Sequence, residues 1–154
     1  MQQILLKVLA DLIKLPEARI NTNYQVPYLA GYSEDGTTIY FDKRLPQYLT
    51  LTNGQEIDVY KYLLVHEKTE KHLEDVKGYK YQYAHEKATG KEREAVEKDG
   101  VSWDEYQSYM LKMVKKLMKL SDNVPPDIDV KPEHDYHDIK MLHEIRRFQK
   151  GNAT

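Results

Sequence analysis

At 154 residues the chain is one domain's worth of sequence, long enough to bury a sizeable core. Charged residues make up 31% of it but the formal net charge is only -2, so no global field draws it toward nucleic acid or acidic lipid. Cysteine is absent, which excludes disulfides, Cys-ligated zinc and thiol catalysis.

The first fifteen residues are apolar at Ile4, Leu5, Leu6, Val8, Leu9, Leu12, Ile13 and Leu15, interrupted by Lys7, Asp11 and Lys14. The stretch is too short and too charged to span a membrane and lacks the layout of a targeting segment, so a helix ending before Pro16 is expected. Residues 21–42 read as extended. Tyr24 to Tyr32 leads into an Asp35-Gly36 turn, and Thr37-Thr38-Ile39-Tyr40-Phe41 returns as a strand rich in β-branched and aromatic side chains. Pro27 places its strand late or at an edge. Asn53-Gly54 between two short alternating runs signals a second hairpin, because both residues tolerate positive φ.

From Asp58 the apolar period changes from two to about 3.6. Asp58 is the expected N-cap of a helix running to about 77, closed by Gly78 at the C′ position. A second helix covers 81–98 and is closed by Gly100. Ser102-Trp103-Asp104-Glu105 is a capping box opening a third, which runs to about 120. Val124-Pro125-Pro126-Asp127 breaks it, and a short amphipathic helix over 136–149 follows. The expected fold is therefore α+β: an N-terminal helix, a small antiparallel sheet, then a bundle of about three helices. Residues 1–123 form the domain and 124–154 an extended arm with the short C-terminal helix.

Chemistry concentrates on His66-Glu67-Lys68-Thr69-Glu70. At about 100° per residue, Val59, Tyr62, Thr69, Glu70 and Leu73 fall within about 60° of His66, so His66 sits at the middle of the apolar stripe and Glu67 at its edge. On the next helix His85 and Glu92 share a side with Tyr81, Ala88, Thr89 and Val96, and small Ala84 and Ala88 let another backbone approach. Both helices aim one His and one Glu inward. Ionisable groups pointed at a core need each other or an ion. A zinc ion would take His66, Glu70 and His85, with Glu92 as fourth ligand or as the acceptor that fixes an imidazole, and Glu67 as general base. Two buried His–Glu ion pairs with no metal fit the same spacing. Two metals bridged by carboxylates would also fit a helical core, although the usual Glu-x-x-His order is missing.

His66 to Glu70 resembles the zinc-protease helix, His-Glu-x-x-His, with Glu70 in place of the second His. That likeness implies a small zincin-like architecture and hydrolysis of a peptide substrate. A second resemblance runs over most of residues 26–130. It is carried by Val26-Pro27-Tyr28-Leu29-Ala30-Gly31-Tyr32-Ser33, Ile39 to Pro46, Leu64-Val65-His66-Glu67 with Glu70, Tyr83-Ala84-His85, Glu92 to Val96, Gly100-Val101-Ser102-Trp103 and Val124-Pro125-Pro126-Asp127. These stretches are similar to a group of small proteins encoded in phages, prophages and bacterial genomes, chiefly of alphaproteobacteria. The resemblance implies a phage-related setting, in the host cytoplasm or the virion, and names no reaction.

The remaining features read as surface. Lys112, Lys115, Lys116 and Lys119 form one face of the third helix, opposite Tyr106, Met110, Met113, Leu117 and Leu120, with no aromatic interleaving for nucleic acid. His134, His137 and His143 belong with surface charges. Two functions are thus expected. One is a zinc-dependent, metallopeptidase-like hydrolase whose cleft is bounded by an edge strand at 37–41. The other is a phage structural protein in which the cluster only locks helices, with self-association or other particle proteins as partners.

Overall fold

The computed structural model describes residues 17–150, so the helix expected over the first fifteen residues lies outside the described residues. The chain is α+β. A three-stranded sheet is built from β1 (Arg19–Asn21), β2 (Ala30–Tyr32) and β3 (Thr38–Phe41), in the order β1-β3-β2. A separate hairpin pairs β4 (Tyr48–Thr50) with β5 (Glu56–Asp58). Helices α1 (Val59–Asp75), α2 (Tyr81–Lys98) and α3 (Trp103–Leu117) follow, then α4 (Lys131–Asp135) and α5 (Ile139–Lys150). Among the described residues no helix is long and apolar enough to cross a membrane.

Two details of the sheet depart from the expectation. β2 is antiparallel to β3, but β1 runs parallel to it, pairing Ile20 with Ile39, so the sheet is mixed. The Thr38–Phe41 strand is consequently central and cannot be the rim of a cleft. Its alternation serves two cores at once. Ile39 and Phe41 join the cluster of Tyr62, Leu63, Val96, Tyr106 and Met110 under α1–α3, while Tyr40 turns to Val26, Val124, Ile128, Met141 and Ile145. The residues expected as an extended arm are laid against this second face. Ser33 bridges Ile128, the Tyr40 hydroxyl donates to Asp127 Oδ1 at 2.6 Å, and the Tyr28 hydroxyl donates to Asp138.

Pro27 begins a single 3-10 turn, Pro27–Leu29, before β2 starts. Tyr28 and Leu29 both hold positive φ there (55° and 77°), a region costly for side chains of this size, and the buried Leu29 side chain anchors the turn. The Asn53-Gly54 hairpin is wider than a two-residue turn. Gly54 has φ 84° but Asn53 stays at negative φ, and Leu51 accepts from Gly54 N–H while donating to Gln55 O. The reason is tertiary: Leu51 is pulled into the core and the Thr52 N–H donates to Glu105 Oε1 at 2.7 Å.

Helix ends follow local chemistry. Asp58 accepts from Tyr60 N–H, Ser102 from Glu105 N–H, and Gly78 takes the left-handed conformation (φ 70°) that ends α1. Ser102→Ala is expected to cost about 1 kcal/mol, read as a lowered urea midpoint with unchanged slope. Ala84 and Ala88 are fully buried between α1 and α2, which brings the two backbones together and sets the spacing of the polar groups between them.

Candidate metal centre

Helix α1 delivers His66, Glu67 and Glu70, and α2 delivers His85 and Glu92. His66 Nε2 lies 3.0 Å from Glu70 Oε2, and His85 Nδ1 lies 2.9 Å from the same oxygen. The imidazole rings meet edge-on with centroids 4.9 Å apart. One ligand atom from each of His66, Glu70 and His85 falls within 4.8 Å of the other two. Two imidazole nitrogens and one carboxylate oxygen so placed suit a divalent transition ion with an open position, so the residues present fit such a group.

Glu92 stands on the other edge of the His66 ring. Its Oε2 is 2.8 Å from Nδ1, and its Oε1 accepts from the Tyr106 hydroxyl at 2.7 Å. The two ring nitrogens point away from one another, so a carboxylate at Nδ1 orients the ring and cannot share an ion with Nε2. Of the two roles open to Glu92 in sequence, the geometry displays the acceptor role. Tyr106 in turn fixes Glu92, which draws a core aromatic residue into the site.

The electrostatics follow from burial. Desolvation opposes charge on His66, but hydrogen bonds to Glu70 and Glu92 outweigh it and hold the imidazolium up to about 10 in the metal-free protein. Burial likewise opposes charge on Glu70, yet its bonds to His66 and His85 keep that carboxyl below its usual range. Glu67 is also buried, at 8% exposure, and no hydrogen bond reaches it among the described residues. Burial and the neighbouring charge of Glu70 push it up to about 8.

These groups line a cavity of about 450 Å³. The side chain of His85 is 40% exposed, so solvent reaches the cluster from the α2 side. The far wall comes from residues that sequence reasoning passed over. Lys71 binds Asp129 Oδ2 at 2.7 Å and Asp75 Oδ2 at 3.0 Å, Lys131 approaches Glu74 Oε2 at 3.8 Å, and Glu133 is buried beside them. Asp135 accepts from the Tyr81 N–H at 3.1 Å, capping α2 where Lys80 cannot. Part of this was legible: Glu67, Lys71 and Glu74 recur at i, i+4 and i+7 along one face. Asp129 and Glu133 had no such signal.

Glu133 gives the site a pH signature. Burial, then the charges of Asp129, Asp138 and Glu70, push its carboxyl up to about 7 against its backbone hydrogen bond. The folded state therefore holds this proton more tightly than the unfolded chain. Its contribution to stability is complete below about pH 4.5 and is lost as pH rises to about 7. Glu133→Gln is expected to remove that decline, gaining up to roughly 3 kcal/mol on the wild type by pH 8 in urea melts.

His134, His137 and His143 are exposed, as is the lysine face of α3. No family model, curated protein or solved structure matches the chain.

Proposed function

We propose that the protein is a zinc-dependent hydrolase of metallopeptidase-like type, acting on a peptide substrate. The observation that supports it most is the convergence of His66, Glu70 and His85 beside the buried Glu67, in a cavity open to solvent. An ion held by the three residues supplies Lewis acidity that acidifies water and polarises a carbonyl. His66 would hold such an ion through Nε2 and keep its proton on Nδ1, where Glu92 accepts it while Tyr106 holds Glu92 in place. Glu67 is the residue to take the proton from water and pass it to the leaving amine, since it lines the cavity and, among the described residues, has no competing hydrogen bond. Tyr32, Tyr81 and Leu63 line the same cavity and give it apolar walls.

The experiment is metal analysis of protein purified without an affinity tag, followed by peptide hydrolysis with and without chelator. Glu67→Gln is expected to keep its metal and lose about 10²- to 10⁴-fold in kcat. Unaltered turnover in that variant would remove Glu67 from the assigned role. The phage or prophage setting, in host cytoplasm or virion, belongs to the same proposal and is supported by the resemblance over residues 26–130.

One observation favours a second reading. Both nitrogens of His66 already have carboxylate partners, so the cluster is self-neutralising as an ion-pair lock between α1 and α2. A phage structural protein that associates with itself or with other particle proteins would use it so. That reading expects no copurifying metal and a melting temperature indifferent to both zinc and chelator.

A further inference from the structure

The cavity holds more carboxyl groups than the metal centre needs. Its wall presents six carboxylates against one lysine and two histidines. That lysine, Lys71, is already spent on Asp75 and Asp129. Beyond the metal centre, Glu74 and Glu133 are buried to 4% and 5% exposure in this same wall. The nearest cation to Glu74 is Lys131 at 3.8 Å, whose side chain is 45% exposed. Glu133 Oε2 is enclosed and, among the described residues, has no hydrogen-bond partner. Buried carboxylates left this way are costly unless something completes them.

We propose that this end of the cavity is a subsite for an organic cation, a primary ammonium or guanidinium group, received between Glu74 and Glu133 against the ring of Tyr81. A second bare metal ion fits less well. Among the described residues only His66, Glu70 and His85 bring ligand atoms within 4.8 Å of one another, so neither Glu74 nor Glu133 belongs to a convergent set of three. A cation with its own reach and several N–H donors spans wider carboxylates than a bare ion does. Tyr81 lines the same cavity as an aromatic wall, its ring tilted on His85 at 5.4 Å and edge-on to Tyr136 at 4.9 Å. Burial pushes both carboxyls up to about 7, as a missing counter-charge would.

The subsite names a substrate class for the proposed hydrolase: peptides or amides bearing a lysine- or arginine-like side chain. It rests on that reading only for the bound group being part of a substrate, because holding the cation needs no metal.

The test is calorimetry with n-butylammonium and n-butylguanidinium against neutral butyramide, on metal-free and zinc-treated protein. The cations are expected to bind at least tenfold tighter than the amide in both forms. Glu133→Gln and Glu74→Gln should each weaken them about tenfold while leaving zinc uptake unchanged. Either variant removes a buried charge and should fold, which circular dichroism checks. Equal affinity for amide and cation, absence of cation binding, or wild-type affinity in both variants would overturn the subsite. Cation binding by protein that takes up no zinc would refute the hydrolase and leave the subsite standing. Zinc-dependent hydrolysis without cation binding would do the reverse.

Discussion

Glu70→Ala should cost the metal-free protein about 3 kcal/mol and abolish its response to zinc. The stability loss comes from geometry. One oxygen, Glu70 Oε2, partners both His66 and His85, and its removal leaves a buried imidazolium facing only Glu92. A partner deleted from a buried pair usually costs about 3–5 kcal/mol, and the surviving Glu92 contact places this case at the lower end. The zinc response is separate. At a hundredfold excess over Kd, a ligand specific for the native state adds about 2.7 kcal/mol, or about 5–10 °C in Tm for a chain of this size. Wild type should show that rise and Glu70→Ala none. A variant that kept both its urea midpoint and a zinc-dependent Tm would sink the metal centre as described.

Asp42→Ala should be as damaging, at about 3–5 kcal/mol, far from any chemistry. Asp42 is completely buried just after β3. It accepts from Val26 N–H at 2.9 Å, from Arg44 N–H at 2.8 Å, and from Arg44 Nε and Nη2 at 2.9 and 2.7 Å. Arg44 also donates from Nη2 to Leu117 O and from Nη1 to Lys119 O, satisfying carbonyls at and just past the end of α3. One carboxylate thus ties the sheet, the strained Pro27–Leu29 approach and the third helix together. Without it the guanidinium keeps two carbonyls but loses its counter-charge. Removing Arg44 as well should cost much less than the sum of the single losses. A double-mutant cycle in urea measures that coupling, and strict additivity would show that the pair does not act as a unit.

What was legible in the sequence was local. Asp58, Ser102 and Gly78 mark helix ends because a cap needs only its own turn of backbone, and they act as read. His66, Glu70 and His85 stood out because charge at the centre of a 3.6-period apolar stripe needs a partner, and the structure brings them together. What failed to show was non-local. β1 is three residues whose apolar member, Ile20, is half exposed, so nothing in its pattern announces a parallel pairing with β3. Burial of Leu51 and the hydrogen bond from Thr52 N–H to Glu105, at the start of the third helix, reshape the Asn53-Gly54 turn against a strong local preference. Glu92 sits at the correct helical angle, yet which edge of the His66 ring it meets depends on the packing of α1 against α2. The Val124-Pro125-Pro126-Asp127 stretch reads as the start of an extended arm because prolines break helices, but burial of Val124 and Ile128 makes it a wall.

The two-faced strand β3 has a consequence for the order of assembly. Most of the cover of Tyr40 (Leu120, Val124, Ile128, Met141 and Ile145), and the Asp129 and Glu133 of the cavity, come from residues beyond the third helix. On a ribosome, the first three helices would emerge and collapse while one side of the sheet still faced water. The acidic chamber would then exist as an open trough, closing when the distal stretch arrives, so that any chemistry it performs is withheld until late in synthesis.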